Sequence, residues 1–337
     1  MKNSKVVFIG PISSKRLGGI TVSFNNIKSY LESIKKSRFI FINNFFSLNT
    51  LFFHAVSICR IFILAVRYKT KVKFSLHCTK NSFFLYGIFL VILKKFFRTE
   101  YNIRKFAGSF DTIYASNSFN KKIIKLVLEE SQENFFQTKK LVNFFKKYNK
   151  RTFWMPTSRI DTSDFKENNF QYKFIYVGKV NESKGINELI SKFDEMPDFY
   201  QLSIYGQRDE NYHHKNLKHY YKGELHPKDV IKKISQYNCF MFLSKWKYEG
   251  YPGVIVESFF AGRPIISLNI GGISEMIDNN HEGYILNSLQ SFNEEIVEEL
   301  KENYKDLCLN SYKKSHLFSS DKINKDFLEK TLDIEDK

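Results

Sequence analysis

Two carboxylates eight residues apart, Glu249 and Glu257, close the two ends of the string EGYPGVIVE, within NCFMFLSKWKYEGYPGVIVESFFAGRPIISLNIGGISEMI from Asn238 to Ile277. Carboxylates grip hydroxyls through charge-assisted hydrogen bonds. Between them Gly250, Tyr251, Pro252 and Gly253 form a turn signal from which a helix starts, with Pro252 suited to its first turn. The free N–H groups of a helix N-terminus favour an anion. Two carboxylates beside such a turn point to a ligand with hydroxyls to grip as well as phosphates to hold.

Strand and helix signals flank this turn. Cys239 to Leu243 is an apolar run that reads as a buried strand, Gly262 suits the helix C-terminus, and Pro264 leads into the apolar strand Ile265 to Leu268. That is a βαβ unit, and in open parallel sheets ligands sit at the carboxyl ends of the strands. A second unit starts at the strand Phe174 to Val177, passes through Gly178-Lys179-Val180-Asn181-Glu182-Ser183-Lys184-Gly185, and enters a helix at Ile186, Leu189, Ile190 and Phe193. The first half of the chain opens in the same way. Lys5 to Gly10 is an apolar strand, and Gly18-Gly19 precede Ile20, Phe24, Ile27 and Leu31 at helical spacing. Phe39 to Ile42 and Val72 to Leu76 read as strands, and Leu51 to Val66 as a long apolar helix interrupted by Arg60.

A length of 337 residues suits two domains, and 43% hydrophobic content is enough to build two cores. The net charge of +17 is unevenly spread: residues 1–165 carry 29 Lys and Arg against 8 Asp and Glu, and the remainder 23 against 27. Such a basic half favours an anionic partner, a membrane face or a nucleic acid. No helix-turn-helix, RNP or zinc pattern supports nucleic acid. The uncharged run Phe83 to Leu93 is too short to span a bilayer and is followed by Lys94, Lys95 and Arg98. It reads as a membrane-surface element or as a buried core helix, and the two do not exclude each other. Cys59, Cys78, Cys239 and Cys308 follow no disulfide or metal spacing, there is no D-x-D pair, and the N-terminal apolar run is too short for a signal-peptide core. A metal is therefore not expected, and a reducing, cytoplasmic location is.

The E-x7-E pair in EGYPGVIVES, followed by AGRPII and GGISEMI, resembles the donor-site signature of retaining family 4 glycosyltransferases. The resemblance implies a GT-B fold: two Rossmann-like, doubly wound α/β domains facing across a cleft. It places an acceptor-binding, membrane-facing domain at 1–165, a nucleotide-sugar domain at 166–312, and a helix at 313–337 that packs back on the first domain. It also implies that Glu249 contacts the donor sugar and Glu257 the ribose hydroxyls. Gly178, Lys179 and Lys184 match the family's G-R-x4-K-G loop for the donor diphosphate, with Lys179 replacing Arg, so the bidentate fork is lost. Gly18 and Gly19 would face a phosphate or sugar. VKFSLHCTKNSFFLYG and NIRKFAGSFD resemble polysaccharide-type members, but Phe106 stands where many place a His, and Thr157 where Asn is usual. His77 reads first as a core or loop histidine and second as a catalyst. Glu275 reads as a helix cap.

The activity implied is transfer of a hexosyl or N-acetylhexosaminyl group, with retention and without a metal or cofactor. The donor is a nucleotide-diphosphate sugar, and the acceptor a glycan or lipid-linked glycan at the cytoplasmic membrane face, in O-antigen, capsule or lipopolysaccharide assembly. A GT-B nucleotide-sugar epimerase or phosphorylase is the alternative, although neither constellation is visible.

Overall fold

Val6, Val7, Phe8 and Ile9 are apolar at consecutive positions, as a strand covered on both faces requires, and all four are buried. The same holds for Phe174 to Val177 and for Cys239 to Phe242. Each set lies within a parallel sheet, and helices supply the crossovers between its strands. The computed structural model describes residues 5–12, 19–34, 38–44, 51–162 and 164–332. They divide into two units, one of residues 1–157 with 320–337 and one of Ser158–Ser319.

The first unit runs β1 (Lys5–Gly10), α1 (Gly19–Ser33), β2 (Phe39–Asn43), α2 (Leu51–Tyr68), β3 (Val72–Cys78), α3 (Lys80–Phe97) and β4 (Glu100–Lys105). It continues through α4 (Phe110–Ala115), α5 (Ser118–Glu130), β5 (Asn134–Phe136), α6 (Lys139–Phe145) and β6 (Thr152–Trp154). The sheet order is β2-β1-β3-β4-β5-β6 and every pairing is parallel. One face, with Val7, Ile9, Phe74, Leu76, Tyr101 and Ile103, packs on α2, α3 and α5. The alternate positions on β3 and β4 are polar, namely Ser75, His77, Asn102 and Arg104, and they are buried as well. Phe8, Phe24 and Phe135 share that side with the last helix.

The uncharged run Phe83 to Leu93 lies in α3. Phe83, Tyr86, Leu90, Val91 and Leu93 are buried in the core, while Leu85 and Ile92 on the other side of the helix stay exposed. Thr79 and Ser82 form a capping box at its start, and Arg98 closes it in the left-handed region at φ 56°.

The second unit runs β7 (Lys173–Val177), α7 (Ile186–Asp194), β8 (Gln201–Tyr205), α8 (Leu217–Tyr220), α9 (Val230–Ile234) and β9 (Cys239–Phe242). It ends with α10 (Gly253–Phe260), β10 (Ile265–Leu268), β11 (Gly283–Leu286), α11 (Glu294–Glu302) and α12 (Tyr304–Ser315). Its parallel sheet has the order β11-β10-β9-β7-β8. The chain then returns to the first unit as α13 (Ser320–Leu332), whose Ile323, Phe327 and Leu328 pack with Val6, Phe8, Phe24 and Phe135.

The unit boundary at Thr157/Ser158 precedes the composition shift near residue 165. Arg159 already belongs to the second unit, where it bridges Ser319 and its N–H donates to the Phe318 carbonyl at 3.0 Å. The return to the first unit falls at Ser320 instead of 313, because α12 continues to Ser315 within the second unit.

Candidate active site

Strand order fixes where the charged loops meet. From β7 the chain goes outward to β8 and then crosses back to β9, which pairs with the other side of β7. Adjacent strands whose connections leave in opposite directions open a crevice at their carboxyl ends. The loop after β7 carries Gly178 to Gly185, and the loop after β9 carries Ser244 to Pro252. Two of the sequence-predicted residues come together here. The Lys184 ammonium donates to Glu249 Oε1, and Ser244 Oγ donates to the same oxygen at 2.8 Å. Glu249 is 7% exposed, so its charge is answered by a cation and a hydroxyl away from bulk water. Lys184 also lies 5.2 Å from the centre of the Trp246 ring.

Local backbone geometry holds this pair in place. Glu182–Lys184 is a single 3₁₀ turn in which the Asn181 side chain accepts from the Lys184 N–H at 3.2 Å. Gly185 follows at φ 72°, and a Cβ there would stand 2.1 Å from the Leu243 carbonyl oxygen. Only glycine lets the two loops approach so closely. Across the crevice, Gly271 at φ 58° rests on the Glu249 carbonyl, to which the Gly272 N–H donates at 3.0 Å.

Lys179 goes elsewhere. Its ammonium pairs with Asp209 Oδ1 at 2.6 Å, in the loop after β8, and both side chains are partly exposed. Asn181 Nδ2 donates to the other Asp209 oxygen at 2.8 Å. The hydrogen bonds from Lys179 and Asn181 hold the Asp209 carboxyl below the usual carboxylate range. Gly178 lies between these two loops; the Tyr176 hydroxyl beside it donates to the Lys179 carbonyl at 2.7 Å.

Glu257 occupies the second turn of α10, where Arg159 Nε donates to its Oε1 at 2.6 Å. The guanidinium lies across the start of the helix: a Cβ on Gly253 would be 1.5 Å from Arg159 Nη2. The N-terminus of α10 thus holds a cation as well as free N–H groups. Pro252 stands at the cap position with ψ 128°, one residue before the helix, instead of in its first turn. Tyr251 is buried, and its hydroxyl donates to Glu275 Oε2 at 2.9 Å. Glu275 is therefore a side-chain partner of the Tyr251 turn; it does not cap a helix. Gly250 is partly buried between Glu249 and Tyr251.

Arg159 and Asp209 were not singled out from the sequence. No local pattern marks either, since each acts through a partner on another element.

Residues 159–316 match the family model described as Glycosyl transferases group 1. No curated protein sequence matches the chain. HepE of Anabaena in complex with UDP superposes with a TM-score of 0.75 at 14% identity, over 98% of this chain and 100% of that one. The lipopolysaccharide outer core galactosyltransferase WaaB, in its apo form, gives 0.71 at 14% identity over 98% and 99%. Sucrose-phosphate synthase of Thermosynechococcus elongatus gives 0.70 at 13% identity over 96% and 97%. The chain has the GT-B fold. The match to the group 1 model falls within its second unit.

In the first unit of this GT-B chain the remaining candidates fare differently. Gly19 starts α1 and has nothing within 4 Å of an added Cβ, so no close approach requires glycine there. Gly18 lies outside the described residues. His77 is fully buried, with Phe24 and Phe327 edge-on to its ring and Nε2 3.1 Å from Ser75 Oγ. Burial, and then the nearby Arg104 cation, push its pKa well below the usual imidazole value. His77 is thus a core histidine. Phe106 is buried too, 4.8 Å below the Arg104 guanidinium. Among the described residues no three His, Cys, Asp or Glu side chains come together as a metal set.

Proposed function

We propose that this protein is a retaining glycosyltransferase that moves a hexosyl or N-acetylhexosaminyl group from a nucleotide-diphosphate sugar to a glycan or lipid-linked glycan. The observation that carries the reading is the Lys184–Glu249 pair at the switch point of the unit that matches the group 1 model. Positive potential is needed where the leaving diphosphate gains charge. Lys184 and the N-terminus of α10 with Arg159 supply it, and Lys179 adds to it at the edge of the crevice. Glu249 positions the sugar and Glu257 the ribose hydroxyls.

In the step proposed, the bond from the anomeric carbon to the phosphate oxygen breaks while an acceptor hydroxyl attacks from the same face. The hydroxyl proton leaves on the departing phosphate, so no metal and no cofactor enters. The acceptor stands at the cytoplasmic face of a membrane, and the product belongs to surface polysaccharide or lipopolysaccharide assembly. The basic first half of the chain supports this, as does the likeness to WaaB, a lipopolysaccharide galactosyltransferase.

Uridine nucleotides head the test panel, because HepE has been solved with UDP and with UDP-glucose. In a thermal-shift experiment, a nucleotide at ~100 times its dissociation constant stabilises the wild type by about 2.7 kcal/mol. Glu257→Ala loses that response. If no nucleotide diphosphate or nucleotide sugar stabilises the wild type at millimolar concentration, the donor site is not where we place it. Retention and metal independence are read from the anomeric configuration of the product formed in the presence of a chelator.

A further inference from the structure

α2 is apolar on both sides. Its inward side buries Ile61 and Ala65 in the core beside two polar groups: His54 Nδ1 is 2.7 Å from the Tyr86 hydroxyl of α3, and Ser57 Oγ donates to the Asn43 carbonyl at 3.0 Å. Its outward side is apolar. Phe52 is 75% exposed, Phe53 65% and Ile63 61%, with Val56, Phe62 and Val66 along the same helix. Single exposed apolar side chains are ordinary, but a stripe sustained over an 18-residue helix marks an interaction surface.

The charges beside this stripe choose the occupant. Arg60 and Arg67 are the only charged residues of α2, and both are exposed. From Ser33 to Thr99 the sequence holds twelve Lys and Arg and no Asp or Glu. A second copy of the same face would set Arg60 and Arg67, with the exposed Lys69 and Lys71 that follow them, against their like, and α2 carries no carboxylate to answer them. An anionic bilayer surface answers both features, because it takes apolar side chains below its headgroups and guanidinium groups among them. The helix does not span: among the described residues no helix is long and apolar enough to cross a membrane.

We infer that α2 lies flat in the interface of an anionic lipid membrane, with Phe52, Phe53 and Ile63 below the headgroups and Arg60 and Arg67 at their level. The inference rests on the membrane-surface part of the function proposed above and on none of its chemistry. It moves that surface from Phe83–Leu93, most of which is core, to the neighbouring helix.

The test is flotation of the full chain with phosphatidylcholine vesicles, with and without about one third phosphatidylglycerol. The wild type floats with the anionic vesicles. Phe52→Ser with Phe53→Ser and Ile63→Ser weakens this at least about tenfold, and Arg60→Ala about fivefold. Cys59 is exposed on α2 whereas Cys78, Cys239 and Cys308 are buried, so an environment-sensitive fluorophore on Cys59 reads insertion directly. Its emission shifts to the blue on anionic vesicles. Failure of the wild type to bind, or unchanged binding by the triple variant, overturns the inference. So does self-association abolished by the triple variant in a protein that ignores vesicles. If the triple variant does not fold, the Cys59 signal on otherwise wild-type protein decides alone. A protein that is stabilised by a nucleotide diphosphate but ignores vesicles loses this surface and keeps the donor site; the reverse result does the opposite.

Discussion

The charged residues around the crevice of the second unit work in pairs, so removing one strands the other. Lys184→Ala leaves Glu249, 7% exposed, with only the Ser244 hydroxyl. The expected loss is about 1–3 kcal/mol in urea unfolding, together with the nucleotide response in a thermal shift. A surface lysine such as Lys245, partly exposed and paired with Glu188, would cost at most about 1 kcal/mol. Glu249 and Lys184 were legible because each sits in a strand–glycine–helix turn that the sequence spells out. Arg159 was not: its partner Glu257 lies 98 residues away, and only the folded chain lays the guanidinium over Gly253. His77 is a separate case. Burial and Arg104 hold its pKa down, so the unfolded chain takes up a proton below about 6.5 that the folded chain refuses. Its contribution is complete above that pH and is lost as pH falls toward the lower folded value, by at most about 1.4 kcal/mol per pH unit. His77→Gln flattens the difference between urea midpoints at pH ~7.5 and ~5.5; an undiminished slope would assign it to other groups.

At the scale of elements, glycines set how closely strand ends approach. Gly206 follows β8 at φ 134°, and a Cβ there would lie 1.9 Å from the Gly178 carbonyl oxygen. Gly206→Ala therefore strains the backbone and separates the loops after β7 and β8, at an expected cost of about 2 kcal/mol or more in unfolding free energy. Gly19→Ala at the start of α1 meets open space and is expected to fall within about 0.5 kcal/mol of the wild type. The two strand–turn–helix repeats were readable because buried strands are continuous apolar runs and their turns are punctuated by glycine. Which helix face would be covered was not readable. α2 and α3 are both long and apolar, but α3 buries most of its apolar run against the core and leaves Leu85, Ile92 and Phe96 exposed, while α2 leaves Phe52, Phe53, Val56, Phe62, Ile63 and Val66 bare. Periodicity in one helix says nothing of what its neighbours leave open.

For the whole molecule, the two-unit plan was expected from length and from the resemblance, and the parallel sheets and GT-B neighbours bear out the fold. The seam was harder to read. Composition changes across the polar run after Asp161, whereas chain membership changes at Thr157 and again at Ser320. The second unit is one unbroken segment; the first depends on α13, which follows the second unit in the chain. A ribosome therefore releases the second unit complete, while Phe8, Phe24 and Phe135 of the first still lack Phe327. A chain stopped after Ser319 is expected to keep the nucleotide response of the second unit and to lose cooperative melting of the first. A calorimetric trace that keeps the transition of the second unit and lacks a cooperative one for the first would show that loss, and an unchanged trace would refute it. On this reading the protein matures from the inside of its sequence outward, and the basic first unit reaches its final form only once α13 has followed the second unit off the ribosome.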